Sequence, residues 1–197
     1  VAVAYARQLP AAGCGPVERR ARLFHYPEES CVKGGGDLKR LGIKTYFCSN
    51  SCAAYKRAIY LELGGFTRRT IFNEDMVFAA GAVKAGYRIA YAAQAKVIHS
   101  HNDPPLELLR RNFDLAVSQT DHPEVFAGLS SEGEGMRLVK ETALWLIRTG
   151  RLLKLPELFV KSGCKYAGFL LGKRYKKLPK AAIRVLTKNP SYWRRQG

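Results

Sequence analysis

Several absences bound what this sequence can be. No apolar run approaches the ~20 residues that a membrane-spanning helix requires. The five cysteines, at positions 14, 31, 48, 52 and 164, are odd in number and never in CxxC spacing. That argues against a disulfide framework or a zinc site and favours a reducing cytoplasm. There is no internal repeat and no low-complexity segment, so a solenoid or a linker array is excluded. Acids are scarce, 16 Asp and Glu against 33 Lys and Arg, for a net charge of +17. An initiating Met is also lacking. Val1-Ala2-Val3-Ala4-Tyr5 opens as a buried strand already under way, so the expectation is a fragment whose upstream half, with any targeting signal, is missing.

What is present suits a folded domain. Hydrophobic residues make up 47% of 197 positions, enough for one core of ordinary size with an appendage. The charge is localised: from Arg148 to Gly197 there are fourteen Lys and Arg against one acid, Glu157. Such an excess implies a polyanionic partner, either an anionic membrane surface or nucleic acid.

Along the chain, residues 1–9 read as a strand and 10–45 as a long irregular stretch broken by Gly13, Gly15, Pro16, Pro27 and Gly34-Gly35-Gly36. Lys44–Cys48 is expected as a short strand and Ala53–Leu63 as a helix stopped by Gly64-Gly65. Asn73 can cap the next helix, with Glu74 and Asp75 in its first turn and Gly86 as its left-handed stop. Tyr87–Tyr91 and Ala95–His99 read as two strands. Beyond Pro104-Pro105 the pattern turns helical, at roughly 106–119, 133–149, 156–172 and 179–187, with Pro156 and Pro179 at first-turn positions.

Three groups of residues carry chemistry. The acidic pair Glu74-Asp75 stands before an apolar helical face, which suits a general base in a cleft at Asp75 with Glu74 in support. An acid in a first turn is as often only a partner of the helix dipole. His99 and His101, two apart at a strand end, are expected on one side, as metal ligands or phosphate donors. One buried and one solvated imidazole is the plainer alternative. The stretch Phe47-Cys48-Ser49-Asn50-Ser51 up to Tyr55 offers hydroxyls, an amide and helix N–H groups to a ligand, or merely caps a helix. Arg7-Gln8, after the first strand, are also expected to reach a cleft.

Taken in order, Phe47-Cys48-Ser49-Asn50-Ser51, Ala54-Tyr55-Lys56-Arg57, Gly64-Gly65-Phe66, Asn73-Glu74-Asp75-Met76, Ala85-Gly86-Tyr87 and Val97-Ile98-His99-Ser100-His101 resemble the acceptor-side half of a family 2 glycosyltransferase with the GT-A fold. The set is most similar to bacterial rhamnosyltransferases of O-antigen and other surface polysaccharides. Arg111-Asn112-Phe113-Asp114, Asp121-His122-Pro123, Ser131-Glu132-Gly133-Glu134-Gly135 and Lys165-Tyr166-Ala167-Gly168 with Gly172-Lys173 are similar to that branch's tail.

The resemblance implies an α/β fold. A partial Rossmann-like mixed sheet would occupy residues 1–104 and a basic amphipathic helical extension 105–197. It implies inverting transfer from a nucleotide-sugar donor, typically dTDP-rhamnose, to a lipid-linked saccharide acceptor. Asp75 is then the base, and Gly64, Gly65 and Phe66 shape the acceptor pocket. Ser49, Asn50, Ser51 and Tyr55 line the floor. A divalent metal, Mg²⁺ or Mn²⁺, neutralises the leaving diphosphate, with His99 first and His101 second in its shell. The family's metal-binding Asp-x-Asp occurs nowhere in these residues, so the isolated chain is expected to be inactive. Residues 148–197 are expected on an anionic membrane, giving a cytoplasmic, peripheral location on the inner face of the plasma membrane. Nucleic acid is not expected as a partner. The competing reading is a non-catalytic basic domain, a transferase remnant that binds nucleic acid or membrane; it gives no reason for the acids and histidines to converge.

Overall fold

A computed structural model of the chain describes residues 1–129 and 132–194, and for Glu132 the backbone alone. Ser131 of the tail motif lies outside the described residues. The chain divides into two compact units: residues 1–68, 74–102 and 128–138 in the first, and 69–73, 103–127 and 139–197 in the second.

The first unit is α/β. Strand β1 (Val3–Leu9) is followed by helix α1 (Pro16–His25), β2 (Cys31–Lys33), the short helix α2 (Leu38–Leu41), β3 (Ala53–Tyr55), α3 (Arg57–Glu62), α4 (Glu74–Lys84) and β4 (Ile89–Ile98). The sheet order is β2-β4-β1-β3, with β1 and β4 parallel and both edges antiparallel. The central strands carry small and apolar residues because both neighbours cover them: Val3, Ile89 and Ala93 are almost wholly buried. Ala2, Ile59, Phe78 and Ala82 form a core with Tyr55, Tyr60, Leu63, Phe66 and Tyr87 packed on it.

Four expectations change. The two strands read at 87–91 and 95–99 are one. Its pairing with β1 slips between Ala6 and Arg7, from Ala6↔Ala92 to Arg7↔Lys96. The N–H of Ala93, inside the slip, donates to Ser30 Oγ at 2.9 Å. The helix expected from Ala53 starts only at Arg57, because Ala53–Tyr55 pairs along the edge of β1. Edge pairing there outweighs helix propensity, which is a weak local preference.

The strand expected at Lys44–Cys48 is instead a 3₁₀ turn, Gly42–Thr45, running into irregular backbone. Buried Lys33 explains it. Its Nζ donates to the carbonyls of Lys44 at 2.9 Å and Phe47 at 2.6 Å and to Tyr5 Oη at 3.1 Å, so the backbone curls around one ammonium. Burial lowers the Lys33 pKa to about 8. Lastly, the stretch read as irregular holds α1, α2 and β2. Pro16 at the start of α1 was the available signal.

Gly86 does stop α4, at φ 87°, and Tyr87 N–H donates to Ala82 O at 2.9 Å.

The helices beyond match expectation within two residues: α5 (Pro105–Asp121), α7 (Glu132–Arg148), α8 (Leu155–Lys173) and α9 (Lys180–Leu186). Short α6 (Pro123–Phe126) and α10 (Pro190–Arg194) were not foreseen. In the second unit α5 packs on α8 through glycine. A Cβ on Gly168 would lie 2.1 Å from the Leu109 carbonyl oxygen, and one on Gly172 2.4 Å from that of Phe113. The tail motif Lys165–Gly168 with Gly172 is thus a helix-crossing device. Phe113, Val117 and Ile183 form this unit's core, with Leu171, Tyr175, Leu178, Leu186 and Trp193 against it. Asp114, fully buried, accepts from Thr187 Oγ1 at 2.6 Å, Lys188 N at 3.0 Å and Asn189 Nδ2 at 2.9 Å, and so ties down the residues that follow α9.

Candidate active site

The site gathers at the carboxyl ends of the parallel strands, where open α/β sheets bind their ligands. Gln8 is the penultimate residue of β1, and His99 follows β4 directly. Arg7, expected beside Gln8, turns instead to Tyr26 O and Glu28. His99 N–H donates to Leu9 O at 2.9 Å, and Ala11 N–H to Ser100 Oγ at 2.8 Å, which pins the two strand exits together.

Asn50 is the hub. Its backbone N–H donates to Asp75 Oδ2 at 3.1 Å and its Nδ2 to Glu74 Oε1 at 2.9 Å. Tyr55 Oη donates to Asn50 Oδ1. The next residue, Ser51, has its Oγ 3.4 Å from His99 Nε2. One loop therefore holds the acidic pair on one side and an imidazole on the other. His99 and His101 both lie beyond the end of β4, so strand alternation does not align them, yet their rings meet edge to face with centroids 4.3 Å apart.

Half-buried Asp75 has its pKa raised to about 6, by burial first and by the Glu74 charge second. Hydrogen bonds from Met76 N–H and Asn50 N–H pull the other way. The helix start alone would favour the ionised form; here desolvation wins. The carboxylate is still mostly ionised at pH 7, and its basicity is that of a group poised for proton transfer.

Sequence reasoning missed the wall behind Gln8. Arg22 of α1 donates to Gln8 Oε1 and, at 2.9 Å, to Glu18 Oε1. Gln8 Nε2 donates to Ser49 Oγ at 2.7 Å, and Ser49 Oγ reaches Ser51 Oγ at 3.4 Å. A relay thus runs from Arg22 to the loop that carries Asn50. The Glu18–Arg22 spacing of four residues was the only local sign of it.

Gly64, Gly65 and Phe66 border a cavity of about 300 Å³, with Val77, Phe78 and Gly81 of α4 on its other wall. Gly65 sits at φ 71°, and the Tyr60 ring lies 2.9 Å from where a Cβ would stand, so only glycine fits. Tyr55 joins cavity and acids: its ring packs edge to face on Phe66 and Phe78, while its hydroxyl holds Asn50.

Among the described residues, no group of three or more His, Cys, Asp and Glu could hold a metal ion. Two imidazoles by themselves fall short of the six oxygens that Mg²⁺ prefers.

No protein-family model matches the chain, and no solved structure matches it. Among curated proteins, it is 40% identical over 196 residues to the O-antigen chain rhamnosyltransferase WbaN of Salmonella anatum, covering 98% of this chain and 61% of the relative. To the O-antigen chain rhamnosyltransferase RfbN of Salmonella typhimurium it is also 40% identical over 196 residues, covering 62% of that relative. The chain is similar to these rhamnosyltransferases over nearly its whole length. It spans about three fifths of the length of the curated rhamnosyltransferases it matches. The rhamnosyltransferase-like match takes in the acidic pair, the hub loop and the glycine-packed helices alike, since it runs over nearly the whole chain.

Asn50→Ala removes the side-chain acceptor of Tyr55 and the donor to Glu74 while keeping the backbone N–H on Asp75. It is expected to cost about 0.5–1 kcal/mol of stability, since both lost bonds are exposed and water can replace Asn50 in them. Denaturant titration of the single variant checks this.

Proposed function

We propose that this chain forms the acceptor side of an inverting family 2 glycosyltransferase with the GT-A fold. It would move rhamnose from dTDP-rhamnose to a lipid-linked saccharide in O-antigen-like synthesis. The observation that carries the reading is the Asn50 hub, which holds the Asp75 carboxylate on a loop that also meets His99 beyond the parallel strands. The relatives' names support the class of sugar transfer.

Asp75 acts as general base. Asn50 N–H and Met76 N–H each occupy one lone pair of its oxygens, leaving others to accept a proton. As the acceptor oxygen attacks the anomeric carbon, its proton passes to Asp75 and the bond from that carbon to the diphosphate oxygen breaks. Attack from the face opposite the leaving group inverts the anomeric centre. Glu74 supports by raising the basicity of its neighbour. The cavity beside Gly64, Gly65 and Phe66 takes the acceptor sugar, with Tyr55 packed behind its Phe66 and Phe78 walls. Ser49, Ser51 and Gln8 line the floor. His99 first and His101 second would add nitrogen ligands to a divalent metal, Mg²⁺ or Mn²⁺, whose remaining ligands are not found among the described residues; when bound it offsets diphosphate charge.

We place the protein on the cytoplasmic face of the plasma membrane, held through residues 148–197. No helix among the described residues is long and apolar enough to cross a membrane, so the attachment would be peripheral.

The test is transfer from a panel of nucleotide sugars to a lipid-linked acceptor, with the product's anomeric configuration read by NMR. Rhamnose transfer with inversion by the full-length protein is expected. Retention, or transfer of other sugars only, overturns the reading. The 197 residues alone, which contain no Asp-x-Asp, are expected to show no turnover above background; robust transfer by them would contradict the division of labour proposed.

A further inference from the structure

A surface helix normally turns its polar residues outward. Helix α8 does the reverse over its first three turns. Its exposed positions there are Pro156, Phe159, Val160, Gly163 and Tyr166, spaced three or four apart as one uncharged stripe. The opposite face packs on α5 through Gly168 and Gly172. The stripe continues into the 3₁₀ turn Leu152–Lys154 that precedes α8, where Leu153 is 94% exposed.

The two ends of this stripe are of one sign. Arg148, Arg151 and Lys154 stand before the stripe and Lys173 lies at its end, whereas Lys161 and Lys165 fall on the opposite helical face, with Gly168 and Gly172. Glu157, the one acid after residue 147, is taken up by Lys154 at 3.1 Å and Lys161 at 2.9 Å. An apolar ridge with cationic ends matches the acyl and phosphate levels of an anionic bilayer. From Leu153 to Tyr166 it runs ~20 Å at the helical rise per residue, so it would lie in the plane of the interface.

We propose that the exposed stripe of α8, led by Leu152 and Leu153, is the surface that docks on anionic phospholipid, with Phe159, Val160 and Tyr166 at acyl depth. This rests on the membrane part of the function proposed above and narrows it. The basic tail as a whole is not lipid-facing, since Leu158 and Ile183 are buried in protein.

The experiment is flotation with vesicles of phosphatidylcholine alone and with 30% phosphatidylglycerol. The wild-type protein is expected to float at least tenfold more with the anionic vesicles. L153E combined with F159E is expected to lose that gain. Equal flotation on both vesicles, or binding unchanged in the double variant, overturns the proposal. So does a wild-type dimer in solution that the same substitutions dissociate, since the stripe would then be a contact between two copies. Should the double variant fail to fold, F159W serves: its emission is expected to shift to the blue on anionic vesicles and to be quenched by brominated lipid, and unchanged emission overturns the proposal. Transfer to a water-soluble acceptor analogue by full-length L153E/F159E is expected within twofold of wild type. A wild-type protein that docks without transferring sugar would sink the transferase reading and leave the docking surface standing.

Discussion

Asp75→Asn is expected to lower kcat/KM for sugar transfer by about 10³-fold, within the range of a lost general base. Asn keeps the shape but has one oxygen where Asp75 offers two, so it accepts from Asn50 N–H or Met76 N–H and loses the other; donor binding should be unchanged. In the unaltered protein, kcat/KM should rise with pH through about 6, where Asp75 ionises. Stability should move the opposite way from activity. The folded pKa of Asp75 is raised above its ordinary value of 3.8 to about 6. Between those values the folded chain holds a proton that the unfolded chain has released, so stability falls as pH rises from about 4 to 6. Asn carries no such charge. Discounted for partial exposure and for the one hydrogen bond that Asn cannot accept, Asp75→Asn should therefore stabilise the protein at pH 7 by at most about 1 kcal/mol. Steady-state kinetics with a pH series and denaturant melts read both effects. An active variant, or one that is inactive because it is unfolded, contradicts the assignment.

Gly168→Ala should be the most damaging of the conservative changes. The added methyl would meet the Leu109 carbonyl at 2.1 Å, and the neighbour is backbone. The helices must part, at an expected net cost of about 3 kcal/mol, the upper end for overpacking. The gain in helix propensity, about 1 kcal/mol, does not offset it. Gly163→Ala is the control on the same helix. Nothing lies within 4 Å of its added methyl, so propensity alone acts and the variant should gain about 0.5–1 kcal/mol. Thermal melts of the two variants should move in opposite directions. Similar shifts in both would mean that α5 and α8 do not pack through glycine.

The elements that could be read from sequence were those whose signals are local. Gly86 as the stop of α4 and the helices after Pro104 follow from punctuation and a 3.6-residue period, both set within a few positions. The acidic pair was legible for the same reason, standing just before an apolar face. The failures share another cause. Lys44–Cys48 has a strand's composition but curls around Lys33, eleven or more residues away in sequence. Ala53–Tyr55 has a helix's composition but pairs with β1, about fifty residues earlier. In each, a distant partner supplied more free energy than local preference. Arg22 was passed over because its partner Gln8 is on another element.

The sequence by itself determined the inventory: an acid pair at a helix start, two histidines at a strand end, a glycine-bearing tail motif, and a basic tail. Only the tertiary structure decided how these act. It set Asn50 between the acids and Ser51 against His99, lifted the basicity of Asp75 by withdrawing water, and sorted the tail's apolar residues into core and exposed stripe. The reason is one of range. Propensity and periodicity act over a few residues, whereas desolvation and convergence depend on segments that meet only after the chain has folded.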